Sequence, residues 1–185
     1  MFKLQVITGT TRPNCVSPAV ASWITEIAAK RTDLEVELVD IADYNLPLFD
    51  EPMSPAYGGH TKEHSIRWGA KVAQADAYVF VVAEYNHGPA AALKNAIDFP
   101  FSEWANKSVG FVSYGSVGGA RAVEQLRQVA AEVQLADVRP QVLLGLSTDF
   151  ENYSEFKPLP NREAELGAVL DRVVAWGEAL KLLHS

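Results

Sequence analysis

What this chain lacks narrows it first. A single cysteine in 185 residues leaves no internal disulfide framework and no Cys-rich zinc site. Basic charge is not in excess: 16 Lys and Arg against 23 Asp and Glu give a net charge of −7, without the footprint of broad nucleic-acid binding. No apolar run approaches the roughly 20 residues that span a bilayer. The opening "MFKLQVITGT" is too short in apolar residues for a signal peptide. The expectation is a cytoplasmic protein that takes no nucleic acid and no membrane as partner. Repeats, low-complexity tracts and linkers are also missing, so one domain is expected over residues 1–185. Neither the dinucleotide fingerprint G-x-G-x-x-G nor the P-loop G-x-x-x-x-G-K-[ST] occurs where a strand meets a helix.

What is there is a strict alternation. Lys3–Thr8 reads as a strand, and Ser17 with Pro18 as the start of a helix whose stripe is Val20, Trp23, Ile24, Ile27 and Ala28. "LEVELVD" places Leu34, Val36 and Leu38 on one face, the pattern of an edge strand. After a Pro-bearing loop, Thr61 offers a cap for a helix to about Gln74. "AYVFVVA" and "SVGFVSYG" are apolar without alternation, as strands buried on both faces are. Pro89 reads as a helix start with Leu93, Ala96 and Ile97 inward. Ala122, Leu126, Val129 and Val133 mark the next helix. A strand near Val138–Leu144 carries Pro140, which suits a sheet edge. Asn161 offers a cap for a last helix with Leu166, Val169, Val173, Trp176 and Leu180. Five strands and five helices in alternation predict a three-layer α/β fold with a five-stranded parallel sheet. The flavodoxin-like order 2-1-3-4-5 puts the alternating and the Pro-bearing strands at the edges.

Ligands of such sheets sit beyond the carboxyl ends of the strands, near the point where the order reverses. Three loops leave those ends. "TGTTRPNCVS" offers hydroxyls, backbone N–H groups and Arg12 just ahead of a helix, which suits a phosphate and equally suits a plain turn with a surface arginine. "AEYNHGP" can lay a backbone edge along a planar heterocycle, or simply cap the following helix through Asn86. "SYGSVGG" lets the backbone approach a ligand closely, or makes a tight turn. Three such loops at one sheet end favour a ligand.

At these residues a family becomes visible. "GTTRPNCVSPAVASWI", "AEYNHGPAAALKNAIDF" and "KSVGFVSYGSVGGARAVEQLRQVA" closely resemble the NADPH-dependent FMN reductases, flavodoxin-like flavoproteins that include chromate and quinone reductases. The resemblance runs to about residue 135. It implies FMN, with its phosphate on Thr10, Arg12, Asn14 and Ser17. It implies that Glu84, Tyr85, Asn86 and His87 hold the isoalloxazine ring largely through their backbone, and that Ser113, Gly115 and Gly118 line the flavin. It implies a homodimer or homotetramer with the flavin near the subunit interface. Thr10 stands where the family often has Ser, Ala83 where it usually has Pro, and Cys15 where a small residue is commoner.

The implied activity is transfer of hydride from NADPH or NADH, through bound FMN, to a small acceptor such as a flavin, a quinone, an azo compound or a metal oxyanion. No covalent nucleophile and no metal are expected, because the flavin carries the chemistry. A flavodoxin-type electron carrier without its own reductase activity is the alternative. "HTKEH" matches a zinc-protease pattern by letter but reads better as a solvated helix start. Cys15 beside Arg12 and a helix N-terminus raises the question of a redox role. Trp104 is expected at the mouth of the active site.

Overall fold

The computed structural model describes residues 1–183, so the last two residues of the expected 1–185 domain lie outside it. The long strands are β1 (Phe2–Thr8), β2 (Leu34–Asp40), β3 (Ala77–Tyr85), β5 (Lys107–Gly115) and β6 (Leu135–Gly145). They are parallel throughout and run in the order β2-β1-β3-β5-β6. A sixth strand, β4 (Gly88–Pro89), pairs antiparallel with the end of β3. The expected order therefore holds for the five parallel strands, but the sheet has six. Asn86 and His87 turn the chain back with φ of 50° and 69°, as a type I′ hairpin turn requires. A short hairpin of β7 (Phe150–Glu151) and β8 (Glu155–Phe156), also unforeseen, precedes the last helix.

Helices α1 (Ser17–Ala28) and α5 (Arg162–Leu180) cover one face; α2 (Glu63–Val72), α3 (Ala91–Asp98) and α4 (Ala120–Glu132) cover the other. Strand β3 shows why its run needs no alternation. Val79, Val81 and Ala83 pack under α1 and α5, while Tyr78, Phe80 and Val82 pack under the other three helices. None of the helices among the described residues is long and apolar enough to cross a membrane.

Several local expectations change. Ser17 does not cap α1: it is fully buried, Val16 is the cap residue, and no side chain bonds the helix start. Thr61 does not cap α2 either. Its N–H and hydroxyl both donate to Glu51, which also accepts the Lys62 N–H at 3.1 Å. Pro89 lies in β4 rather than in a helix, and α3 starts at Ala91. Asn161 sits at the start of α5, but its side chain donates to Glu165 instead of capping. Val133 falls just past α4. In β2, Leu38 is exposed and Val39 is buried, because the strand runs past the cover of α1 and its other face meets Ile41 and Trp68. Trp104 is not at a mouth; it is buried against Trp68, Tyr78 and Phe80. His60 and His64 pair separately with Glu103 and Asp50, and no group of three metal-binding side chains occurs among the described residues.

At the β6 edge the register shifts opposite Val109–Phe111, around Pro140. Arg127 of α4 reaches across to the carbonyls of Val138 and Arg139, to Gln141 and to Asp137. The proline's missing N–H and the bulged carbonyls are thereby accommodated.

Candidate flavin site

The three loops do converge, and identifiable contacts join them. Gly9 leaves β1 so close to β3 that its N–H bonds the Val81 carbonyl at 3.0 Å. A Cβ at this position would come within 2.5 Å of that oxygen, so only glycine fits. Thr10 Oγ1 lies 3.2 Å from the Tyr85 hydroxyl and accepts the Arg12 N–H at 3.3 Å. Asn14 takes a left-handed φ of 56°, which Asn tolerates better than most residues. Cys15 remains a half-buried free thiol.

The helix that follows starts with its N–H groups uncapped. No side chain caps the α1 N-terminus and no acidic residue stands in its first turn. The free N–H groups and the positive end of the helix are left for a ligand. Arg12 is exposed and makes no ion pair among the described residues; its guanidinium lies 5.6 Å from the Tyr85 ring centroid. Ser17 is turned inward, its hydroxyl 2.9 Å from that of Tyr114. Burial raises the Tyr114 pKa, against the opposing bond from Ser17, so the phenol stays neutral. Of the four expected phosphate residues, Thr10, Arg12 and Asn14 lie in the loop, while Ser17 supports it from beneath.

In the second loop the Glu84 side chain, only 3% exposed, points at α4 and away from the cleft. It accepts N–H bonds from Arg121 at 3.1 Å and Ala122 at 3.3 Å, and pairs with the Arg121 guanidinium. Burial pushes the Glu84 carboxyl upward, but the guanidinium and the helix N–H groups outweigh this and hold its pKa below the usual range. The carboxylate therefore acts as the cap of α4. Asn86 and His87 form the exposed tip of the turn, and their N–H groups lie outside the Tyr85–Gly88 ladder. Arg121 Nη1 donates to His87 Nε2 at 2.7 Å, and Gln125 donates to the His87 carbonyl at 2.8 Å.

In the third loop Ser113 is fully buried and donates to the Gly118 carbonyl at 2.6 Å, so its hydroxyl shapes the loop rather than the cleft. Gly118 and Gly119 have φ of 72° and 79°, where a side chain would be strained. Gly115 is packed against Glu84, with a Cβ there reaching 3.0 Å from Glu84 Cβ. A cleft of about 400 Å³ opens beside the first loop, lined by Thr11, Ile41, Asn45, Leu46, Ala92 and Asn95. Arg121, Gln125 and Tyr114 were absent from the sequence-derived set. Arg121 had one signal, its place three residues into the "GGARA" run at a helix start. Tyr114 had none, since a tyrosine in a buried strand reads as core.

Residues 2–149 match the family model for NADPH-dependent FMN reductase, four-fifths of the chain. The chain belongs to this family. Membership makes it an oxidoreductase that works with FMN and NAD(P)H. An NAD(P)H-dependent FMN reductase from a Nectria species is 38% identical over 98% of this chain and 90% of its own length. A quinone reductase from Pseudomonas putida is 28% identical over 95% of both chains. Among solved structures, the flavoenzyme NAD(P)H:acceptor oxidoreductase FerB from Paracoccus denitrificans superposes with a TM-score of 0.74, covering 97% of this chain and 98% of its own. At 20% identity that likeness speaks for the fold.

Proposed function

We propose that the reductase binds FMN across the three loops, with the phosphate at the start of α1 and the ring along the Glu84–His87 hairpin, and passes electrons from NAD(P)H to quinones or free flavins. The observation that carries this reading is the α1 N-terminus. It has no side-chain cap, no acid in its first turn, and beside it an exposed Arg12 that makes no ion pair among the described residues, all at the strand end where β1 and β3 part. At α4, by contrast, the Glu84 carboxylate takes the N–H groups of Arg121 and Ala122.

Bound FMN supplies hydride acceptance and donation; the chain binds, orients and shields it. Arg12 can take two phosphate oxygens at once, and Thr10 Oγ1 can donate once Tyr85 accommodates it. The N–H groups of Asn86 and His87, outside the strand ladder, would be available to the ring edge, where donors would favour the electron-rich reduced form. Glu84 keeps its charge buried under α4, away from that edge. The matched relatives are named as reductases, which favours an enzyme over a flavodoxin-type carrier. The reading includes a homodimer or homotetramer, in keeping with Leu48, Met53 and Tyr57 exposed on the loop that follows β2.

The test is a pair of titrations, FMN and riboflavin, into the purified protein and into Arg12→Ala, followed by NADPH without oxygen. FMN binding preferred over riboflavin, with the preference falling by about tenfold in Arg12→Ala, and rapid bleaching by NADPH, support the reading. Equal binding of the two flavins would remove the phosphate assignment. Retained flavin that NADPH cannot bleach would restore the carrier.

A further inference from the structure

The tip of the hairpin at residues 85–88, Asn86 and His87, is exposed, and its contacts beyond the strand ladder come from α4. Asn86 and His87 are consecutive non-glycine residues with φ of 50° and 69°. Most side chains avoid such φ values, and a turn that holds two in succession leans on its surroundings. The surroundings here are the first two turns of α4. Arg121 and Ala122 hold Glu84 at the base of the hairpin, Arg121 Nη1 holds the His87 ring at 2.7 Å, and Gln125 holds the His87 carbonyl at 2.8 Å. Arg121 alone touches both ends of the turn.

We propose that Arg121 is a positioning residue for the flavin: by bridging Glu84 and His87 it fixes the hairpin backbone that receives the ring. The inference rests on the placement of the ring argued above. Arg121 does not itself touch the ring in this account; it acts through Glu84 and His87. A guanidinium only donates, so in this contact His87 Nε2 is the acceptor. The charged groups facing His87 are Arg121 from α4 and, behind it, Glu84 from β3. Gln125, the other α4 residue on the turn, does not titrate. The bridge is therefore a ring-side device, separable from the phosphate side by the choice of flavin.

Riboflavin, which has no phosphate to titrate or to contact Arg12, is the probe, with FMN alongside. Arg121→Lys keeps a charge beside Glu84 but loses the fork that spans to His87. It should weaken riboflavin and FMN by the same factor, about tenfold, leaving their ratio unchanged, whereas Arg12→Ala changes the ratio. His87→Ala, at the exposed tip, should give a similar loss with little change in melting temperature. The double variant should be no worse than either single one. His87→Gln offers an acceptor at the same place, so it should keep the affinity. Riboflavin binding unchanged in Arg121→Lys and His87→Ala would overturn the proposal while the Arg12 result still stood. Losses that simply add in the double variant would overturn it too. Failure of the Arg12 test with the Arg121 and His87 effects intact would instead displace the phosphate and leave the hairpin as the flavin contact.

Discussion

The hydroxyls of Ser17 and Tyr114 meet at 2.9 Å across 97 residues of sequence, tying the first turn of α1 to the end of β5. Both side chains are buried, so neither has water to replace the other. Tyr114→Phe should therefore loosen the α1 start by roughly 1 kcal/mol. FMN affinity should fall about fivefold in a fluorescence titration, and riboflavin affinity by less. An equal fall for both flavins would show that the pair supports the ring side instead.

Gly119 holds φ at 79°, and a Cβ added there would come to 2.7 Å from Ser113 Cβ and 2.9 Å from the Tyr114 backbone nitrogen. Both atoms are fixed by the β5 backbone and cannot swing aside as a side-chain tip can. Gly119→Ala should cost about 2–4 kcal/mol. That corresponds to a melting temperature roughly 4–16 °C lower. A drop under about 1 °C would mean the third loop yields freely.

Lys107 sits at the other end of the sheet, nearly buried, with Nζ 3.3 Å and 3.4 Å from the carbonyls of Val72 and Ala73 and 3.0 Å from the Tyr78 hydroxyl. Burial lowers its pKa from 10.5 to about 8, against the pull of Asp76 and Glu103. Between those values the unfolded chain holds the proton that the folded chain has released, so stability rises as pH goes from about 8 to about 10.5. Denaturant unfolding across that range should show a gain of up to about 3 kcal/mol from this group, and Lys107→Met should flatten it.

Asp149 is fully buried and accepts from the backbone of Gly145 and Leu159 and from the Arg162 guanidinium at 2.9 Å and 3.0 Å. Burial pushes its pKa up, but Arg162 and the N–H donors more than offset this, and the net shift is downward from 3.8. The stability it contributes is full above about pH 4 and is lost as pH falls through the lowered value. Asp149→Asn turns an N–H₂ toward existing donors. It should cost about 3 kcal/mol, read as a melting temperature roughly 6–12 °C lower at neutral pH.

The sequence showed the frame of this molecule because its central strands are apolar on both faces, and only a covered parallel sheet accepts that pattern. The three site loops were legible for the same reason, since chain order puts them at one strand end. Side-chain direction was not legible. Ser17 looked like a cap because serine before an apolar helix usually is one; the phenol of Tyr114, distant in sequence, draws it inward instead. For Glu84 the family resemblance implied a contact with the ring largely through the backbone and said nothing of the side chain, which strand alternation turns onto the α4 face against Arg121. Trp104 followed aromatic residues toward an imagined mouth, and the Trp68–Tyr78–Phe80 cluster absorbed it. The β4 hairpin was hidden because a proline in "HGPAA" serves a strand end as well as a helix start.

The Arg127 clasp on β6 also bears on how the molecules behave at high concentration. A sheet edge recruits other chains through unpaired carbonyl and N–H groups. Here the Val138 and Arg139 carbonyls are occupied by Arg127, and Pro140 has no hydrogen to offer. That stretch of the border is closed to strand addition, so assembly there has to proceed through side chains and cannot spread as a growing sheet.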